Sequence, residues 1–288
     1  MATHEIRLLS LIDVFVESSF LVLARNMGTP VWAHTWGILI LGNPAGPILV
    51  DTGARNPEIM QRLGMEGRVD EDMQLANALA AHCVAIGDVA AVLHTHCHID
   101  HAGQDERFPM TTPVVINRRE LEHSVSGLMG GQYPPEYVKH HVDRLHAPGA
   151  LRLLDLELSG PDEIFEGIVC EAAGGHTEGS MNVLVETAEG TACLCGDIVY
   201  DVHNQIVEPW HIGLDHEPQT TGNHTMRKRE ERAAIKRALN RDFVLPGHDF
   251  PARVEGGRVV ARLKHEVPGP EFDVAEFAAE VAVPVAAV

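Results

Sequence analysis

The sequence is short of basic residues. Its 22 lysines and arginines stand against 41 aspartates and glutamates, which gives a formal net charge of −19 at pH 7. A chain this acidic repels the phosphates of nucleic acids and anionic membranes. Long apolar runs are also missing, since the most apolar early segment, residues 8–24, is interrupted by Asp13 and Glu17. The sequence therefore predicts no nucleic-acid partner, no membrane partner and no signal peptide.

Cysteine is scarce as well. The chain has five cysteines, an odd number, and they are scattered along its length. Such a distribution is not typical of a disulfide framework and favours a protein of the reducing cytoplasm. Tyrosine and tryptophan are rarer still, at 3 residues each.

Short apolar runs alternate with helical patterns, which is typical of a mixed α/β protein. Helices are predicted at residues 75–85 and 229–239. We expect one catalytic domain over residues 1–267 and a C-terminal tail over residues 268–288. The predicted strands are residues 37–41, 47–50, 89–93, 114–117, 151–154, 168–172, 181–186, 192–195 and 243–245.

Four metal-ligand types are concentrated directly after one predicted strand: His96, His98, Asp100 and His101. In an extended segment alternate side chains share a face, so His96 and His98 can hold one ion together. Asp100 and His101 then point elsewhere as the chain turns, and can serve a second ion. Imidazole and carboxylate groups suit zinc, manganese, iron or cobalt.

Four ligands in one run cannot complete two metal sites, and three later positions supply more. His176, Asp197 and His248 each directly follow a glycine near the end of a predicted strand. A single histidine is usually a surface or core residue. An ordered series of ligand types beside glycines and strand ends instead predicts a metal centre.

The order of these motifs is similar to the pattern of the metallo-β-lactamase superfamily, over about residues 35–250. The Asp51-Thr52-Gly53 segment matches the Asp-Thr-Gly that usually precedes the histidine run. The resemblance implies an α/β fold, an αβ/βα four-layer sandwich, with the site at one edge of its two sheets. It also implies two divalent ions, first of all zinc, with His96, His98 and His176 on one, Asp100, His101 and His248 on the other, and Asp197 bridging them.

Within this superfamily, the sequence looks most like the N-acyl homoserine lactonases. Tyr200 lies three positions after Asp197, where that group has a tyrosine that hydrogen-bonds the substrate carbonyl or leaving oxygen. The resemblance implies hydrolysis of a small-molecule lactone, an N-acyl homoserine lactone or another, by hydroxide held at the metal ions. Asp100, Asp197 and Tyr200 are the expected catalytic residues, and a homodimer is consistent with the resemblance.

Two alternatives stay open from the sequence. Persulfide-dioxygenase-like relatives carry a similar run and are thought to use one iron, whose ligands here would be His96, His176 and Asp197. A thioester or other ester hydrolase of the same fold is the second alternative.

The remaining residues of interest are assigned to packing or to a substrate pocket. Cys97 lies between two ligands and is expected to face away from them as a packed residue. Most other histidines, His94 and His141 among them, are expected to be solvated or to line the cleft. A substrate pocket is hypothesised from residues 203–224, which include Trp210, together with Trp32, Trp36, Met129 and Tyr133.

Overall fold

The computed structural model describes residues 3–209, 217–223, 227–267, 269 and 271–272. The strands are β1 (Glu5–Glu17), β2 (Pro30–Leu41), β3 (Ile48–Val50), β4 (Glu66–Arg68), β5 (Ala91–Leu93), β6 (Val114–Asn117), β7 (Leu151–Leu154), β8 (Asp162–Phe165), β9 (Ile168–Ala172), β10 (Met181–Thr187), β11 (Gly190–Gly196), β12 (Phe243–Pro246), β13 (Ala252–Glu255), β14 (Arg258–Leu263), β15 (Glu266–Val267) and β16 (Glu271–Phe272). The α-helices are α1 (Ser18–Leu21), α2 (Leu75–Ala80), α3 (Arg118–Val125), α4 (Pro135–Leu145), α5 (Leu156–Ser159) and α6 (Lys228–Ala238). Short 3₁₀ helices lie at Pro57–Leu63, Glu71–Met73, Ile86–Asp88, Asp105–Arg107 and Gly130–Gln132, and a π-helical turn lies at His203–Val207.

The strands form two sheets. The first has the order β15-β1-β2-β3-β5-β6-β7, with β4 paired to β1, and its strands β3, β5, β6 and β7 are parallel. The second has the order β16-β14-β13-β12-β11-β10-β9-β8, in which β11 and β12 are parallel. Parallel neighbours end at the same edge of a sheet, so the loops after β5, β11 and β12 are available to build one site.

Three apolar clusters hold the layers together. One fills the space between the two sheets and includes Ile38, Leu93 and Leu245. The second packs α2 and α4 on the outer face of the first sheet, and the third packs α6 on the outer face of the second sheet. The expected αβ/βα sandwich is therefore confirmed.

The sequence misses most of the long first strand. Residues 8–24 are recognised only as an apolar segment, whereas β1 runs over 13 residues from Glu5 to Glu17 and pairs with β2. The pairing register shifts between Ser10 and Ile12, which breaks the alternation by which a strand is recognised. The helix expected over residues 75–85 forms only at Leu75–Ala80 and is followed by Cys83 at a positive φ of 59°.

The expected boundary between domain and tail stays a prediction. β15 ends at Val267 and pairs with β1, and the two residues Glu271–Phe272 add a further strand to the second sheet. Residues 273–288 of the expected tail lie outside the described residues. No helix in the described part of the chain is long and apolar enough to cross a membrane.

Candidate metal centre

The strand ends bring all the sequence-predicted ligands together as two buried groups. In each group, one potential ligand atom per residue lies within 4.8 Å of the others. The run after β5 contributes to both groups, and the loops after β9, β11 and β12 contribute one residue each. The first group is His96, His98, His176 and Asp197, and the second is Asp100, His101 and His248.

In the first group the ligand atoms converge from two sheets. His176 Nε2 lies 3.0 Å from His98 Nδ1. His96 Nε2 and His176 Nε2 lie 3.6 and 3.5 Å from Asp197 Oδ2. His96 and His98 share a face of the extended run, as the spacing predicts.

The second group converges on the other oxygen of the same aspartate. His101 Nε2 and His248 Nε2 each lie 3.1 Å from Asp197 Oδ1. They lie 3.7 and 3.6 Å from Asp100 Oδ2. Asp197 therefore presents one carboxylate oxygen to each group, which is the geometry of a bridging ligand.

The buried donors fit metal ions better than they fit one another. The Nε2 atoms of His96, His101 and His248 and Oδ1 of Asp197 are buried without a hydrogen-bond partner. Unpaired buried polar atoms are costly, and one divalent cation in each group would satisfy them. Burial also lowers the pKa of His176 to about 4, so this imidazole is neutral, as a metal ligand must be. These groups fit a dinuclear metal site.

A glycine turn sets the position of His176. Gly174 and Gly175 have φ angles of 64° and 89°, a region that residues with a side chain rarely adopt. A Cβ at Gly175 would also lie 2.9 Å from the Cα of Glu231. The turn after β9 therefore depends on glycine at this position.

Two interactions outside the ligand groups orient their imidazoles. Asp51 Oδ2 lies 3.0 Å from His101 Nδ1, and Asp51 also accepts hydrogen bonds from the backbone and hydroxyl of Thr95. His248 Nδ1 lies 2.7 Å from the carbonyl oxygen of His34. Partners of this kind fix which ring nitrogen faces a metal. The sequence marks Asp51 through its motif but does not reveal this contact.

Tyr200 lies beside Asp197. Its hydroxyl donates to Asp197 Oδ2 at 2.6 Å and accepts from Asn223 Nδ2 at 3.1 Å. Its ring stacks on His248, with centroids 4.9 Å apart and planes 4° from parallel. Burial and the Asp197 carboxylate hold the pKa of Tyr200 well above its usual range, so the hydroxyl stays a donor. Asn223 falls within the segment 203–224 of the hypothesised pocket, but no motif singles it out.

A narrow cavity leads to both groups. His98, Asp100, Asp197, Tyr200 and His248 form its polar end, and Gln132 and Asn223 add amides. Its other walls are apolar. They consist of Val14, Val16, Phe20, Leu21, Ala33, Met60, Leu63 and Met65.

Residues 31–248 match the family model of the metallo-β-lactamase superfamily. The chain belongs to this superfamily. An N-acyl homoserine lactonase of Bacillus sp is 28% identical over 218 residues, which are 72% of this chain and 79% of the relative. Metallo-beta-lactamase domain-containing protein 1 of Homo sapiens is 31% identical over 209 residues, which are 73% of this chain and 60% of the relative.

Solved structures share the fold. An N-acyl homoserine lactone hydrolase with the product N-hexanoyl-L-homoserine bound at its catalytic metal centre aligns with a TM-score of 0.64 at 20% identity, covering 83% of this chain and 89% of that one. AidC, a dizinc quorum-quenching lactonase in complex with a product, aligns with a TM-score of 0.63 at 15% identity, covering 90% and 94%.

The hypothesised substrate pocket is wrong in the tryptophan, tyrosine and methionine members that the structure describes, whereas Asn223 of its segment 203–224 does line the cavity. Trp32, Trp36, Met129 and Tyr133 are absent from the walls of the cavity. Trp36 is buried against Phe250, and the Tyr133 hydroxyl donates to Glu120. Apolar strands and a 3₁₀ helix wall the cavity instead. Trp210 and residues 211–216 lie outside the described residues.

Two histidines expected at the surface or cleft are buried beside a carboxylate. His94 and His141 are each 1% exposed, and each lies 2.9 Å from a carboxylate oxygen of Asp105. The prediction for them was wrong because a distant carboxylate compensates their burial. Cys97 is buried in the apolar cluster behind the first sheet, which confirms its packing role.

Proposed function

We propose that this superfamily member is a lactonase that opens the ring of an N-acyl homoserine lactone or another small lactone. The observation that carries the proposal is the placement of Tyr200, a buried hydroxyl donor, between the bridging Asp197 and a mainly apolar cavity. A lactone with an apolar substituent matches this division into a polar and an apolar end.

We propose two divalent ions, zinc first, with manganese, iron or cobalt also suited to these donors. His96, His98 and His176 would hold one ion, and Asp100, His101 and His248 the other, with Asp197 shared. When bound, such ions supply an activated water near neutral pH and polarise the ester carbonyl. The fit of the unpaired ring nitrogens supports this assignment.

Tyr200 would act on the oxygen of the ester. In ring opening, the oxygen of a water molecule adds to the carbonyl carbon and the bond from that carbon to the ring oxygen breaks. The ring oxygen must then gain a proton to become a hydroxyl. A hydroxyl donor at Tyr200 stabilises the negative charge that builds up on the carbonyl or leaving oxygen. Asn223, which donates to Tyr200, holds it in place.

The apolar walls would bind the substituent of the lactone. Val14 and Val16 of β1 line the cavity together with Met60, Leu63 and Met65. Burial of an alkyl chain against such walls stabilises a complex by about 0.8 kcal/mol for each methylene group. The names of the relatives, N-acyl homoserine lactonases, support the same class of substrate.

The test is proton release by the metal-loaded protein in weak buffer near neutral pH. The substrates are lactones with short and long acyl chains, thioesters, β-lactams and aryl esters. We expect acid from the lactones, with KM falling as the acyl chain lengthens, and little from the other classes.

Two results would contradict the proposal. Faster turnover of thioesters or aryl esters than of any lactone would assign another hydrolase activity. Oxygen consumption with a persulfide, by protein holding one iron, would assign the dioxygenase activity. Tyr200, which donates to Asp197 beside the cavity, favours hydrolysis over the latter.

A further inference from the structure

A third cluster of potential ligands lies behind the metal centre. His94, Asp105 and His141 are brought together from the loop after β5, the 3₁₀ helix Asp105–Arg107 and α4. All three are at most 2% exposed. Their arrangement differs from that of the two metal groups, and the difference indicates their role.

The cluster is saturated with hydrogen bonds. His94 Nε2 lies 2.9 Å from both carboxylate oxygens of Asp105, and His94 Nδ1 lies 3.3 Å from Asp51 Oδ1. Asp105 is also bonded by His141 Nε2 at 2.9 Å and by the Thr52 hydroxyl at 3.2 Å. Both nitrogens of His94 and both oxygens of Asp105 therefore have protein partners. The metal groups, in contrast, expose unpaired buried nitrogens to one another.

The cluster is connected to the metal centre through Asp51. One oxygen of Asp51 faces His94 and the other lies 3.0 Å from Nδ1 of the ligand His101. The result is a buried chain of alternating imidazoles and carboxylates: His101, Asp51, His94, Asp105 and His141. Near its far end, Arg144 donates to the backbone carbonyl of Asp105 at 2.9 Å and holds that residue in place.

We propose that Asp105 and His94 are positioning residues for the metal group of Asp100, His101 and His248, and that they act on His101 through Asp51. A carboxylate behind a ligand histidine fixes its ring and its tautomer. Asp51 can do this only if its own second oxygen is held: Oδ1 accepts from the Thr95 backbone at 2.9 Å, and His94, backed by Asp105, lies 3.3 Å from the same oxygen. The inference rests on the metal centre of the proposed function, not on the identity of the substrate.

The first metal group has a matched support of its own. Glu120 on α3 is buried, and it accepts hydrogen bonds from the Cys97 backbone at 2.8 Å and from the Thr177 hydroxyl at 2.5 Å. Cys97 lies between His96 and His98, and Thr177 follows His176 directly. Glu120 is therefore the control for Asp105: an equally buried carboxylate that supports the other metal group.

The experiment measures the affinity for Zn²⁺ by competition with a chromophoric chelator, for Asp105→Asn and Glu120→Gln. Each is made in the wild type and in a His248→Ala background, where only the first group remains complete. In the otherwise wild-type protein, we expect Asp105→Asn to lower the affinity for one of the two bound ions by about 10- to 100-fold. In the His248→Ala background, Asp105→Asn should leave the affinity for the remaining ion unchanged, whereas Glu120→Gln should lower it.

Three outcomes would overturn the proposal. Equal weakening of the remaining ion by both variants would make Asp105 a general structural residue. Unchanged zinc affinities in Asp105→Asn would show that Asp105 has no influence on the metal centre. Three zinc equivalents in the wild type and two in Asp105→Asn would make the cluster a metal site.

A second variant keeps the test decisive if Asp105→Asn does not fold. His141→Gln removes only the outermost link, and we expect a smaller loss of affinity for the same ion. The unfolding midpoint of the metal-free variants gives the structural contribution separately. A protein that binds two zinc ions as described but hydrolyses no lactone would contradict the proposed function and leave this inference standing.

Discussion

Asp197 is the residue on which the two metal groups meet. Its Oδ2 faces His96 and His176, and its Oδ1 faces His101 and His248. The pKa of this carboxyl is well below its usual range. Burial raises the pKa, but the surrounding imidazoles lower it by more than burial raises it. An ionised carboxylate with both oxygens in use is what a bridging ligand requires.

Tyr200 allows a test at the level of one hydroxyl. Tyr200→Phe keeps the ring stacked on His248 and removes the donor, so we expect kcat for a lactone to fall by about 10- to 1000-fold. Metal content should not change, since the hydroxyl is not among the proposed ligands. Steady-state kinetics and metal analysis of the purified variant give both results.

The control is Tyr137→Phe. The Tyr137 hydroxyl is buried too, but it donates to the Ile99 carbonyl, accepts from the Arg55 backbone and lies outside the cavity walls. Its loss should lower the free energy of unfolding by about 1 kcal/mol and leave kcat nearly unchanged. A Tyr200→Phe enzyme as fast as the wild type would remove Tyr200 from the mechanism.

At the scale of elements, the centre depends on a close approach of two loops. The loop after β3 and the run after β5 meet where the Gly103 backbone donates to the Gly53 carbonyl at 2.8 Å. Near this contact, Asp51 of the first loop lies beside His101 of the second. A Cβ at Gly103 would lie 2.3 Å from the Arg55 nitrogen, which leaves no room for a side chain.

Gly103→Ala should therefore push the two loops apart. We expect a loss of about 1–3 kcal/mol in the free energy of unfolding, the range for overfilling a packed site. Gly87→Ala is the control, because a Cβ there meets nothing within 4 Å, and it should stay within about 0.5 kcal/mol of the wild type. Urea denaturation measures both, and equal stabilities would refute the close approach.

At the scale of the whole molecule, the centre joins the two sheets. His96, His98, Asp100 and His101 follow a strand of the first sheet, whereas Asp197 and His248 follow strands of the second. Any ion shared by these groups links both halves of the sandwich. Each half also has its own apolar cluster, so the fold does not rest on metal alone.

Removal of metal should lower the unfolding midpoint without unfolding the protein. A ligand present at 100 times its Kd adds about 2.7 kcal/mol to stability, and Zn²⁺ added back should restore that amount. Thermal denaturation with a chelator and then with zinc measures the difference. Asp197→Ala should respond much less to zinc, and a wild type whose midpoint ignores zinc would contradict the metal centre.

Much of the centre was open to prediction, because its ligands lie in short motifs beside strand ends. His96 and His98 share a face by strand geometry alone, and the glycines before His176, Asp197 and His248 mark the turns. The supporting residues could not be found this way. Asp105, Glu120 and Asn223 have partners far away in the sequence, and nothing in their immediate neighbours distinguishes them from surface residues.

The sequence by itself determined the α/β pattern, the ordered ligand series and the resemblance that identified the fold. Local spacing suffices for these, because strand and turn geometry act over a few residues. Only the tertiary structure decided that Asp197 faces both groups, that Val14 and Val16 wall the cavity, and that His94 is buried between Asp51 and Asp105. These relations arise where two sheets pack, and packing brings together residues whose separation along the chain carries no signal.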